Sequence, residues 1–137
     1  INQFNEITFG FRMGVLVISS IALLAAGIGI MNIMLVSVTE RTREIGIRKA
    51  IGARKTKILS QFVLEAVVLS EIGGLMGILL GIVAGNGVAI WLSMPVVIPF
   101  DWAIIGFVVC SVIGIVFGVY PAWKASNLDP IDSLRYE

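Results

Sequence analysis

The chain has no histidine and a single cysteine, Cys110. The first absence excludes imidazole metal sites and the Ser-His and Cys-His nucleophile systems. The second excludes an internal disulfide framework and any multi-cysteine metal centre. Charge is scarce as well: 14% of residues are Asp, Glu, Lys or Arg, against about a quarter in a soluble domain. No GxxxxGK[ST] phosphate loop is present. The Gly-Ile-Gly-Ile stretch at 27–30 is apolar and is no phosphate cradle. No catalytic, cofactor-binding or metal-binding residue is therefore assigned, and the chain is not an enzyme by itself.

What is present is apolar. Hydrophobic residues make up 58% of the chain, and the mean hydropathy is +0.99. They fall in three long runs, at about 13–38, 66–92 and 102–120. Crossing a bilayer takes roughly 20 apolar residues. In lipid the backbone must satisfy its own hydrogen bonds, so each run is expected to be an α-helix. The fold class is thus an all-α membrane protein with three transmembrane helices. Trp91, Trp102, Tyr120 and Trp123 lie near the expected span ends, where an aromatic belt would place them.

Between the first two runs, residues 39–57 hold seven of the ten basic residues: Arg41, Arg43, Arg48, Lys49, Arg54, Lys55 and Lys57. Only Glu40 and Glu44 oppose them. A short basic loop between spans marks the cytoplasmic side. The link at 93–101 carries no basic residue, so it is expected outside. Three spans then put the N-terminus outside and the C-terminus in the cytoplasm. An outside start without a leader predicts a further span upstream of residue 1. The basic loop also has order in it. Glu44 and Arg48 are spaced i,i+4 in the favourable direction. Ile47, Ala50 and Ile51 form an apolar edge at helical spacing, and Gly52 suits the helix end. A second helix is expected to start at Arg54 and run into the middle span. Without aromatics the patch is a poor nucleic-acid surface. Setting topology and attracting anionic lipid is the simplest role for such a loop.

Glycine supplies a second pattern. Gly73, Gly77, Gly81 and Gly85 recur every four residues in the middle run, with Gly74 beside the first, and Gly114 and Gly118 repeat the step in the last run. Small residues at that spacing let helices pack closely in lipid. Two polar residues fall within spans. Asn32 is expected to bond across helices. Glu71 is either a functional intramembrane carboxylate or a group at headgroup depth. Glu65 is read as interfacial, and Cys110 as a small residue facing bundle or lipid. Tyr120-Pro121 is expected to end the last helix, and residues 131–137 to form a short helix after the Asp129-Pro130 turn.

The run MNIMLVSVTERTREIGIRKAIGARKTKILSQFVLEA, at 31–66, resembles the C-terminal transmembrane module of FtsX-like ABC transporter permeases, the MacB type above all. The glycine-rich middle run and the ending FGVYPAWKASNLDPIDSLRYE, at 117–137, are similar to the same pattern. The resemblance covers nearly the whole chain. It implies a four-span permease whose large extracytoplasmic domain lies between spans one and two. This chain would then hold an external stalk end at 1–12, spans at 13–38, 58–92 and 102–120, a coupling segment at 39–57, an external link at 93–101 and a cytoplasmic tail at 121–137.

The resemblance further implies a homodimer in the bacterial cytoplasmic (inner) membrane. A cytoplasmic ABC ATPase, fused or separate, would carry ATP and Mg, and an extracytoplasmic adaptor and outer-membrane channel would complete the assembly. Glu40, Arg41, Arg43, Glu44, Arg48 and Lys49 would form the charged face toward the ATPase, and Ile45, Ile47 and Ile51 would fill an apolar groove on it. Transport of a drug, peptide or lipid-like substrate would proceed by mechanotransmission. The rival reading is a self-contained small channel, or an accessory or sensor subunit without ATPase, with Glu71 and Asn32 on a polar path.

Overall fold

The computed structural model describes residues 2–129. Four helices follow one another: α1 (Asn2–Glu40), α2 (Thr42–Ala50), α3 (Lys55–Trp91) and α4 (Phe100–Ser126). Among the described residues there is no strand. α1, α3 and α4 are each long and apolar enough to cross a membrane. With 39 residues, α1 is about 58 Å long, roughly twice the thickness of a bilayer's hydrocarbon core. The segment before residue 13 and the first apolar run are therefore one continuous rod. The aromatic residues Trp91, Trp102, Tyr120 and Trp123 are all exposed on this rod-like bundle.

α3 and α4 form the tightest pair, and α1 leans mainly on α4. Their seam is built from small residues in steps of four. A Cβ built on Gly106 would touch Ile78, one on Gly74 would meet Cys110, one on Gly114 would meet Ser70, and one on Gly118 would meet Ala66. On Gly114 such a Cβ would also lie 2.8 Å from the Val67 Cα, so the two backbones are in contact there. Gly27 of α1 receives the ring of Phe117 in the same way. Small side chains are what allow backbones to approach this closely where lipid offers no hydrophobic drive.

Two helix ends share one device. Ile51 caps α2, and Gly52 follows at φ +96°. The Gly52 N–H donates to the Lys49 carbonyl and the Ala53 N–H to that of Arg48. This is the paired-bond Schellman ending, in which the left-handed residue favours glycine. Arg54 is extended and α3 starts directly after it. At the far end of α3, Ser93 takes the left-handed position at φ 56°, and Ser93 and Met94 donate to the carbonyls of Ile90 and Ala89. The link between α3 and α4 is shorter than expected, because Phe100 and Asp101 already form the first turn of α4.

One expectation about the last helix is corrected. Pro121 does not end it; α4 continues through Pro121 to Ser126. Proline removes one donor and crowds the preceding turn. Here the following turn is secured by burial, with Pro121, Ala122, Ala125 and Ser126 all inside the protein. The proposed helix at 131–137 lies outside the described residues.

Candidate functional site

The buried core of the chain sits at one end of the bundle, where the basic segment folds. It consists of Met34 and Val38 from α1, Ile45 from α2, Ile58, Phe62 and Ala66 from α3, and Ala122 and Ala125 from α4. All four helices contribute. Elsewhere the apolar side chains of the three long helices are largely exposed, as lipid-facing surfaces are.

This knot fixes α2 in place. The turn from α1 to α2 is a single residue, Arg41, and Thr42 Oγ1 spans it by donating to the Val38 and Thr39 carbonyls. Arg41 Nη1 reaches both carboxylate oxygens of Glu65 on α3, at 3.1 and 3.3 Å. Arg48 Nη1 donates to Gln61 Oε1 on α3, and its other nitrogen lies 3.8 Å from Glu44. Lys49 Nζ donates to the Leu128 carbonyl at 2.6 Å, and Lys55 Nζ to Asn127 Oδ1. The two lysines tie the segment to the end of α4. Burial, followed by the neighbouring Lys55 charge, lowers the Lys49 pKa from its ordinary value, while Asp129 pulls it the other way.

The residues expected to face a partner therefore divide. Ile45 is corrected: it is 1% exposed and packs into the chain's own core, so it anchors α2 and cannot project from it. Arg41 and Lys49 are engaged inside the chain. Glu40, Arg43, Glu44, Ile47 and Ile51 remain on the outer surface, with Ile51 81% exposed. The free face of α2 is thus an apolar strip flanked by charges of both signs. Arg48 stands at its edge, against α3.

Within the spans, Glu71 Oε1 accepts a hydrogen bond from Ser111 Oγ across the α3–α4 seam. Its Oε2 is buried and has no hydrogen-bond partner. One residue earlier, Ser70 Oγ donates to the Cys110 carbonyl at 2.6 Å. Asn32 lies on the exposed side of α1 beside Ile33, Val36 and Ser37, and no hydrogen bond joins it to Glu71.

Gly114 and Gly118 pack α4 on α3 as described above. Gly73, Gly77, Gly81 and Gly85 do not: a Cβ on any of them would meet nothing within 4 Å. Gly81 and Gly85 line an apolar recess of about 280 Å³ near the opposite end, together with Ile82, Val97 and Trp102. This glycine face of α3 is open.

Sequence reasoning missed Glu65, Gln61, Asn127 and Leu128 as the anchors of the basic segment, and Ser111 as the partner of Glu71. A polar residue in each of two neighbouring spans was the available signal for the last pair.

Residues 16–130 match the FtsX-like permease C-terminal family. The chain belongs to that family. It is 53% identical over 122 residues to the macrolide export ATP-binding/permease protein MacB of Syntrophobacter fumaroxidans, covering 89% of this chain and 17% of that protein. It is 49% identical over 138 residues to the ABC transporter permease YvrN of Bacillus subtilis, covering 100% of this chain and 33% of the relative. Against the pyoverdine export ATP-binding/permease protein PvdT of Pseudomonas entomophila it is 50% identical over 126 residues, 88% of this chain and 18% of that one. The chain thus spans a third or less of the length of these relatives. It is a MacB-like permease segment with three helices able to cross the membrane.

Proposed function

We propose that this chain is the membrane-spanning C-terminal module of an ABC exporter permease, and that it passes the work of a cytoplasmic ATPase to an extracytoplasmic domain. The observation that carries this reading is the mounting of α2. It is a short helix locked to the ends of all three long helices, yet it keeps a mixed charged and apolar face free. A partner pressing on Arg43, Glu44, Ile47 and Ile51 would move the bundle as a body, because Ile45, Arg41 and Lys49 leave α2 no freedom to move alone. α1 would carry that movement outward, being a single uninterrupted helix much longer than the membrane is thick.

In this reading the basic end is cytoplasmic, by the charge bias of its loop. ATP and Mg are held by the ATPase, and the module contributes leverage and not chemistry. The open Gly73–Gly85 face is where a second copy packs, giving a homodimer. The export substrate, the adaptor and any outer-membrane channel are selected by parts outside this module. The densely packed α3–α4 seam suits mechanotransmission better than a substrate path between the spans. The substrate is a drug, peptide or lipid-like molecule; the relatives named for macrolide export and pyoverdine export support the drug-like end of that range.

The test is capture of the ATPase by the natural full-length protein extracted in detergent, compared with Arg43→Glu/Ile47→Asp. Both substitutions fall on the free face and spare the core. An ATPase held by the wild type and released by the variant is the expected result. If no ATPase is present, fused or bound, the transporter reading fails; if the variant retains it with normal transport, α2 is not the coupling element.

A further inference from the structure

On the α3 side of α2 there is an open groove of about 580 Å³, lined by Arg48, Ile51, Arg54, Lys57, Ile58 and Gln61. Three of these are cations and none is acidic. Arg54 and Lys57 make no ion pair or side-chain hydrogen bond among the described residues. The Arg48 guanidinium lines the groove, tied to Gln61 through one nitrogen and bordering Glu44 at 3.8 Å through the other. Arg54 precedes α3 with no side-chain cap, so its side chain is not needed to start the helix. The floor is apolar: Ile58 is buried, and Ala53 is half-buried beneath it.

The groove's height along the bundle selects its occupant. α3 runs without a break from Lys55 into its apolar stretch. Gln61 is one turn past Lys57, and continuous apolar sequence begins at Ala66, so the groove runs from roughly 7 Å beyond the apolar part at Gln61 to roughly 18 Å at Arg54. Its inner end lies at the depth of the phosphate layer, since headgroups add on the order of 5–8 Å to each side of the hydrocarbon core. Long basic side chains just outside this level lay their stems on apolar surface and reach inward to the phosphates. A cluster of cations on an apolar floor at this depth is complementary to a lipid that carries both a negative phosphate and an apolar body.

We infer that this groove is a binding site for the headgroup of an anionic phospholipid of the phosphatidylglycerol type, held by Arg48, Arg54 and Lys57, with Ile58 against the glycerol of the headgroup. The lipid would wedge between α2 and α3 and so support the mounting of α2. The site borders the free face formed by Arg43, Glu44, Ile47 and Ile51, and the two meet at Ile51. The inference rests on the membrane placement of the helices and does not require the ATPase.

The experiment is native mass spectrometry of the natural full-length protein in detergent, titrated with phosphatidylglycerol or phosphatidylcholine. The variants are Arg54→Ala/Lys57→Ala, the charge-preserving Arg54→Lys/Lys57→Arg, and Lys124→Ala as a cation at the same end outside the groove. Phosphatidylglycerol should stay bound to the wild type, the charge-preserving variant and Lys124→Ala. It should bind the alanine pair at least about tenfold more weakly, as loss of two cations near a phosphate predicts. Retention of phosphatidylglycerol by the alanine pair at unchanged helicity overturns the proposal. So does equal retention of phosphatidylcholine. Glycerol phosphate or inorganic phosphate binding as tightly as the lipid would make the groove a soluble-anion site, and overturns it too. If the alanine pair loses the ATPase while keeping the lipid, the groove is a protein-docking surface and the lipid assignment falls. Failure of lipid binding with ATPase capture intact leaves the transporter reading standing.

Discussion

Gly118 of α4 lies directly on Ala66 of α3, so close that a Cβ on the glycine would overlap the alanine methyl. Ala66 is itself fully buried in the knot that holds α2. The α3–α4 seam and the mounting of α2 therefore meet at one residue. Gly118→Val is expected to force the helices apart and destabilise the protein by about 1–3 kcal/mol or more, the usual cost of overpacking. Thermal unfolding in detergent reads this directly. A variant as stable as wild type would show that the seam has slack.

The open glycine face predicts the opposite behaviour. Gly77→Leu meets no atom of its own chain. Its effect on the stability of the single chain is expected to stay within roughly ±0.5 kcal/mol, as for a surface substitution. If this face joins two copies, the same substitution reduces the dimer seen on a native gel. A normal dimer in Gly77→Leu or Gly81→Leu would remove this face from the interface.

Ile45 and Ile47 separate anchoring from docking. Ile45 is 1% exposed and Ile47 is 43% exposed, two residues apart on the same short helix. Ile45→Ala is expected to cost about 2–5 kcal/mol, as cavities in packed cores do. Ile47→Ala should leave unfolding unchanged and weaken only what binds the outer face. Equal loss of stability in both would mean that α2 is turned differently from the structure described here.

Glu71 and Ser111 offer a double-mutant cycle across the seam. Ser111→Ala removes the side-chain hydrogen bond that Glu71 accepts among the described residues and leaves a second oxygen of a half-buried carboxyl unpaired. That is expected to cost about 1–3 kcal/mol. Ser111→Ala/Glu71→Leu should recover much of it, because replacing both partners by apolar groups avoids the unpaired group. A double variant worse than either single would mean that Glu71 has a further role, and ion conductance lost in Glu71→Gln would identify that role as a polar path.

These contrasts mark where sequence reasoning stops. The spans, the break at Gly52, the restart after Arg54 and the Glu44–Arg48 pair were legible, because each depends on residues within one or two turns. Which face of a span meets its neighbour was not. α3 carries two adjacent small-residue rows, one of Ala66, Ser70 and Gly74, the other of Gly73, Gly77, Gly81 and Gly85. The second is the more regular to the eye, yet the first forms the seam, because α4 matches it with Gly106, Cys110, Gly114 and Gly118. In α2, Ile45, Ile47 and Ile51 are alike as letters, and only the position of the core decides which is inside. Pro121 reads as a stop unless the burial beyond it is known.

Lys49 adds a dependence on pH. Burial, with the Lys55 charge beside it, lowers its pKa in the folded protein below the ordinary lysine value of 10.5. A cation whose folded pKa is lowered weakens the fold while it is charged in both states. Between the lowered pKa and 10.5 the unfolded chain binds more protons than the folded one, so stability rises with pH across that window. Below the window the cost is constant. Lys49→Met removes the titration and also the bond to the Leu128 carbonyl. The variant should therefore start from its own baseline and lack this part of the alkaline rise. Unfolding followed from neutral to alkaline pH on both proteins measures the difference in slope. Identical slopes would show that the Lys49 ammonium is as well solvated in the folded protein as in the unfolded chain, and that its bond to Leu128 forms at the surface and not within the knot.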